Sequence, residues 1–233
     1  MRKFDSITKY YALRAPEYEQ IYYRDIPAKR KELAGEAERL KKLVAGKSVF
    51  DLACGTGYWT AVICQTAREV VASDISAEMI SEARTKEYVC QPDFVRADLY
   101  ELPFKGATFD ILTLGFWFSH EPKQNYCEFF RMLKTLVRRE GLIWMIDNNP
   151  PAEGPKYRSV GTDDYGNNYR QRFLDSGEEF AILKNYFTSR GLREMFSPEF
   201  AIESIIFNEC YWSVVLKDKA APGNPATYNL SMG

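Results

Sequence analysis

A single histidine, His120, occurs in 233 residues, so a multi-histidine metal site is excluded and any imidazole chemistry falls to that one ring. The five cysteines, Cys54, Cys64, Cys90, Cys127 and Cys210, are scattered. They form neither paired metal knuckles nor a dense disulfide framework, and read as reduced, mostly buried thiols. No apolar run approaches the length of a bilayer span, and the opening MRKFDSITKYYALRAPEYEQ is too polar and aromatic for a signal peptide, so the cytoplasm is the expected location. Charge of one sign is also missing. With 31 basic and 32 acidic residues the formal net charge is -1, and no basic stripe offers a footprint for nucleic acid or membrane. There is no internal repeat.

What is present is an ordinary globular composition, and its length allows one large core without a second domain. Residues 1–45 read as a helical preface: SITKYYAL, EYEQIYY, then PAKRKELAGEAERLKKLVAG, opened by Pro27 and closed by Gly46. From Lys47 short apolar runs alternate with helical stretches: KSVFDLA, TAVICQTA, EVVAS, AEMISEARTK, DFVRA, FDILTLGF, CEFFRMLKTLVRR and GLIWMID. That alternation predicts a parallel sheet with helices on both faces, within a domain spanning residues 46–218. An irregular segment follows at about 148–178, rich in Pro, Gly, Asn, Tyr and Arg, of a length that usually carries function. EEFAILKNYF reads as a helix or a strand pair and TSRGLREMF as a helix. FAIESIIF and CYWSVVLK, parted by Asn208 and Glu209, read as an antiparallel edge hairpin. Residues 219–233 read as a flexible tail.

The stretch VFDLACGTGYWT places Asp51 near a strand end, directly before Gly55 and Gly57. Glycines where backbone must approach a ligand suit a nucleotide. The dinucleotide pattern needs a third glycine where Thr60 stands, and a carboxylate at Asp51 would repel a pyrophosphate. The same acid suits a cofactor bearing a sulfonium and an ammonium group, as S-adenosylmethionine does. The next strand ends at Asp74, seventeen positions beyond Gly57 and placed to accept both hydroxyls of a ribose, while Ser76 is the better helix cap. Asp98 and Leu99 end the third strand, where they would bracket an adenine.

In these motifs the chain resembles the class I S-adenosylmethionine-dependent methyltransferases of the small-molecule branch, over residues 47–150 in motif and to the C-terminal hairpin in topology. The resemblance implies a Rossmann-like, doubly wound, seven-stranded α/β sheet, mostly parallel with an antiparallel C-terminal strand, under an N-terminal helical lid. It implies S-adenosyl-L-methionine as cofactor, held by Asp51, Ala53, Gly55, Gly57, Asp74, Asp98 and Leu99. Ala53 departs from the family, many of whose members carry a glycine there. Gly115 and Phe116 would pass beside the methionine portion, and Phe116, Trp117 and Phe118 suit a pocket wall and a core equally. The lid resemblance assigns Tyr11 to the cofactor and Tyr10 and Tyr18 to the substrate.

Methyl transfer from a sulfonium needs alignment more than catalytic groups. If the nucleophile carries a proton, His120 is the one imidazole able to take it; a capping role is the alternative. Tyr157, Tyr165 and Tyr169 with Arg158, Arg170 and Arg172 equip the insertion to hold a small acceptor, and guanidinium groups favour an acid. The expected partner is therefore an acidic metabolite, with no metal, nucleic acid or membrane, and with monomer and homodimer both open. A catalytically silent S-adenosylmethionine-binding protein and, against the evidence of Asp51 and Thr60, a nicotinamide-dependent oxidoreductase are the alternatives.

Overall fold

Strand β1 (Ser48–Leu52) is buried along its whole length, and its alternate side chains enter two different cores. Val49 joins Leu33, Leu40, Val44 and Ile63 on one face, whereas Phe50 and Leu52 join Leu112, Phe129 and Leu133 on the other. A strand covered on both faces belongs at the centre of a parallel sheet. β1 pairs in parallel with both β2 (Glu69–Asp74) and β4 (Phe109–Gly115). The computed structural model describes residues 5–18, 27–104, 109–150 and 159–219.

The main sheet has the order β3-β2-β1-β4-β5-β10-β9, with β3 at Asp93–Arg96, β5 at Val137–Asn148, β9 at Phe200–Phe207 and β10 at Tyr211–Asp218. β10 runs antiparallel to β5 and β9, as expected for the terminal hairpin. Chain order reverses between β1 and β4, which opens a crevice at their carboxyl ends. Helices α2 (Pro27–Val44) and α3 (Tyr58–Ile63) help cover one face; α5 (Tyr126–Leu136) and α6 (Ser189–Phe196) cover the other. Between them in the chain lies α4 (Ala77–Arg84), and α1 (Asp5–Arg14) precedes them all. α2 starts at Pro27 and is followed by Gly46 at φ +68°, the two signals that marked its ends in the sequence.

Three expectations need correction. The CEFFRMLKTLVRR run does not stay helical: α5 ends at Leu136, and Val137 begins β5 opposite Phe109. The insertion is not irregular, because β6 (Ser159–Thr162), β7 (Asn168–Phe173) and β8 (Glu179–Leu183) form a second, antiparallel three-stranded sheet. Of the five free cysteines only Cys64 is buried, and Cys127 is exposed. Helix α1 packs on the second sheet, setting Tyr10 against Leu174, Phe180 and Ile182. The Tyr10 and Phe180 ring centres lie 5.3 Å apart. Among the described residues no helix is long and apolar enough to cross a membrane, and no cluster of His, Cys, Asp or Glu is placed to hold a metal.

Glu32 of α2 fastens the terminal hairpin. Its carboxylate accepts the amides of Glu209 (3.1 Å), Cys210 (3.0 Å) and Tyr211 (3.2 Å) at the β9–β10 turn. Replacing it by alanine leaves these donors to solvent and removes a charge-assisted set of bonds. Glu32→Ala is expected to lower unfolding free energy by about 1–2 kcal/mol. Denaturant unfolding measures the loss, and faster hydrogen exchange at Glu209, Cys210 and Tyr211 locates it.

Candidate active site

The crevice begins with Asp51. Its side chain lies on the α3 side of the sheet, buried, and does not line the crevice. Thr60 of α3 donates to one carboxylate oxygen at 2.6 Å, and Thr113 of β4 donates to the other at 2.8 Å. Burial pushes its pKa up to about 6, against the pull of the two hydroxyls. Asp51 thus ties β1, β4 and α3 together beneath the loop. Thr60, which breaks the dinucleotide pattern, is there to hold this acid.

Above it the loop turns through left-handed backbone at Ala53 (φ 49°), Gly55 (φ 57°) and Gly57 (φ 80°). That conformation favours glycine, and Ala53 adopts it with a side chain no larger than a methyl group. Gly57 is also sterically fixed, because an added Cβ would lie 2.5 Å from the Tyr88 hydroxyl. It supports the loop from behind, at the N-cap of α3, and does not line the crevice.

Asp74 stands at the end of β2 with its carboxylate spanning the loop. Its oxygens accept the amides of Gly55 and Ser76, each at 2.9 Å. Burial raises its pKa and these amides oppose the rise. Ser76 caps α4 by accepting from the Met79 amide at 3.2 Å, so Asp74 is not spent on capping. Asp98, after β3, accepts the Tyr100 amide at 3.0 Å.

The crevice has an empty volume of about 890 Å³ and is open to solvent. Ala53, Gly55, Asp74, Asp98 and Leu99 form its floor and one wall, as the motifs imply; Gly115, Phe116, Tyr11, Tyr18 and His120 form the other end. Trp117, for which the sequence left pocket wall and core both open, joins them, as do Ile7, Met79 and Tyr100, unmarked by any motif. Gly115 lies against the Trp59 indole, which an added Cβ would strike at 2.2 Å, and Phe116 adopts φ 61°, a strained value for a bulky residue. Among the described residues, no lysine or arginine lines the crevice.

The insertion residues stand further back. Tyr10 is buried between α1 and the second sheet, and Tyr169 donates to Asp163 at 3.3 Å; neither lines the crevice. Arg170 and Arg172 lie opposite Ile182 and Phe180 in the β7–β8 register, which puts them on the sheet face that receives α1. Arg170 lies over the Tyr186 ring, 5.3 Å from its centre. The charge of Arg172 bears on Tyr10, Tyr11, His120, Lys184 and Tyr186. Arg158 and Tyr157 lie outside the described residues.

Behind His120 sits a buried ion pair that no motif announced. Lys184, following β8, meets Asp147 of β5 at 2.9 Å and donates to Ser119 Oγ at 2.5 Å. The Ser119 amide donates to the other Asp147 oxygen at 2.9 Å. Burial lowers the Lys184 pKa against the pull of Asp147; Asp147, though burial alone would raise it, is held below its usual range by Lys184. In EEFAILKN the alternation Phe180, Ile182, Lys184 carries the signal: a cation on the inward register of a strand needs a buried partner.

The family model for a methyltransferase domain matches residues 49–141. Curated relatives include demethylmenaquinone methyltransferases of Bacillus licheniformis, 29% identical over 48% of this chain and 50% of the relative, and of Lactiplantibacillus plantarum, 37% identical over 41% and 44%. The chain spans about half the length of the curated relatives it matches. Among solved structures, one described as a DhpI-SAH complex is 24% identical, with a TM-score of 0.72 over 94% of this chain and 98% of that one. PH0226 from Pyrococcus horikoshii is 20% identical, with a TM-score of 0.67 over 87% and 99%. These likenesses establish the fold.

The burial of Asp51 makes stability depend on pH with a definite sign. A carboxyl near pKa 6 in the folded chain and near 3.9 unfolded binds more protons when folded, so its contribution is full below about pH 4 and lost as pH rises through 6. The loss is of the order of 2–3 kcal/mol. Asp51→Asn is expected to flatten this part of the stability profile. Denaturant unfolding of both proteins between pH 4 and 7 measures it, and parallel profiles would contradict the assignment.

Proposed function

We propose that this chain, whose residues 49–141 form a class I S-adenosylmethionine-dependent methyltransferase domain, methylates a small-molecule acceptor carrying an acid group. The crevice fits the cofactor on its own chemistry: carboxylates at Asp74 and Asp98, with no lysine or arginine among the described lining residues, suit an adenosine and a cationic amino-acid portion, and disfavour a pyrophosphate. When bound, the cofactor supplies an electrophilic methyl group on a sulfonium. Asp74 would accept the ribose hydroxyls while holding the loop through Gly55, and Asp98 with Leu99 would face the adenine. Gly115 and Phe116 would flank the amino-acid portion. Tyr11 and Tyr18 would cover the reacting end and exclude water.

The observation that carries the acidic acceptor is the state of the groups around His120. The imidazole is buried, and burial with the nearby Lys184 ammonium brings its pKa down to about 3. A ring of that basicity is a poor general base at neutral pH. An acceptor that arrives already ionised needs none. Among the described residues, Lys184 and Arg172 bear on the ring as cations and Asp147 as an anion, a setting that suits an anion entering at the Tyr11 end. A neutral quinone-type acceptor, nucleophilic in its reduced dihydroxy-aromatic form, is the second reading, favoured by the quinone in the names of the curated relatives and by the aromatic wall of Phe116 and Trp117.

Calorimetry with S-adenosylhomocysteine tests the cofactor half. Asp74→Ala is expected to weaken binding by about 1.5–3 kcal/mol, at least tenfold. Unchanged affinity would remove Asp74 from the site. Labelled methyl transfer to small carboxylic acids, their methyl esters and dihydroxy-aromatics tests the other half: acids should be the best acceptors, and Arg172→Ala should raise their KM about tenfold or more with a smaller change in kcat. Preference for the neutral aromatics would establish the second reading instead.

A further inference from the structure

His120 occupies the junction of three parts of the molecule, and its two ring nitrogens are engaged differently. Nδ1 lies 2.6 Å from the backbone carbonyl oxygen of Leu183 in β8. A carbonyl has no proton to give, so Nδ1 carries the hydrogen and donates it. In a neutral ring the hydrogen on Nδ1 leaves Nε2 as a bare acceptor. Tyr11 Oη lies 2.8 Å from Nε2 and must be the donor of that bond. The two rings meet edge to face, with centres 5.4 Å apart.

The groups facing the imidazole favour this neutral state. Lys184 from the end of β8 and Arg172 from β7 oppose a second proton; Asp147 from β5 favours one but is engaged by Lys184 and the Ser119 amide. Tyr11 from α1 stays protonated, since burial raises its pKa well above the ordinary phenol value. The ring is 2% exposed, so no bulk water competes for Nε2. The lone pair that a general base would use is already committed to the lid.

We infer that His120 is a positioning residue: its Nε2 seats the Tyr11 hydroxyl, and with it helix α1, over the crevice, in a tautomer fixed by the Leu183 carbonyl. Tyr11 is the outer wall of the crevice, and its ring packs edge-on to Tyr18, 5.7 Å between centres. The bond therefore holds two lid aromatics where the reacting groups must be shielded. It also couples the lid to the second sheet. A displacement of β8 that withdrew the Leu183 carbonyl would release Nδ1, and the ring could then place its hydrogen on Nε2, where the Tyr11 hydroxyl no longer has an acceptor.

This inference concerns the chain's own contacts and holds whichever acceptor is methylated. Because His120 is the only histidine, the imidazole nitrogen resonances of the intact, cofactor-free chain labelled at histidine need no assignment. The expected spectrum is one ring, protonated at Nδ1 and bare at Nε2, unchanged from pH 5 to 8. A ring protonated at Nε2, or one that titrates near the ordinary histidine value, overturns the inference. A second readout is amide exchange over residues 5–18. His120→Asn, whose amide reaches only the Nδ1 position, and Tyr11→Phe should each speed exchange about two- to tenfold, with no further gain in the double variant. His120→Gln, whose amide oxygen reaches the Nε2 position but is no base, should restore slow exchange. Exchange in β1 and β4 should stay unchanged in all four. Lid exchange that is unaffected by Tyr11→Phe, or that adds in the double variant, refutes the latch.

Discussion

The hydrogen-bonded carboxylate of Asp51 is the constraint on which the site depends. A buried acid is costly unless its oxygens are satisfied, and the two that satisfy it come from different elements, Thr60 on α3 and Thr113 on β4. The three elements are therefore held in one relative position at the point where the loop must leave the sheet. Above that anchor Ala53, Gly55 and Gly57 all take left-handed backbone. The Gly55 amide is then delivered to Asp74 on the neighbouring strand, which carries the same constraint across to the crevice wall.

Charge is divided along the crevice. The end proposed for the cofactor is acidic, with Asp74 ending one strand and Asp98 following the next. Behind the lid end the balance is reversed by Arg172 and Lys184 around Asp147. The two acids come at and after the ends of the parallel strands β2 and β3 of the main sheet, whereas Arg172 lies within the second sheet and Lys184 directly follows it, so each sheet brings its own sign of charge to the opening. The overall charge of -1 conceals it.

How much of this was legible in the sequence follows from how local each signal is. The strands of the main sheet, the Pro27 and Gly46 boundaries and the terminal hairpin are written in contiguous runs, and were readable. The crevice residues Asp74, Asp98, Leu99 and Gly115 follow from strand ends, which are equally local. Asp51 was placed correctly in the chain, but which way its side chain points depends on the pleat and on two distant threonines, so its supporting role was not visible. The second sheet was missed because β6 is exposed throughout and β7 is only half-buried, so neither shows an alternating apolar face, while glycines at 161, 166 and 177 with positive φ read as irregular chain. The ion pair of Lys184 and Asp147 joins positions 37 apart and left only the faint mark of a lysine in an apolar register.

Three consecutive residues at the end of β8 serve three different neighbours: Ile182 packs beneath α1, the Leu183 carbonyl accepts the hydrogen bond of His120 Nδ1, and Lys184 reaches Asp147 in the main sheet. An insertion attached in this way is not a detachable module. Exchanging it for that of a relative, as one would to alter acceptor range, transplants the lid's seat and the histidine's tautomer together with any new specificity. A graft whose boundary falls before Ile182 keeps all three attachments in the host. One that runs past Lys184 must bring matching residues at 11, 120 and 147 with it, so the structural unit here is larger than the visible insertion.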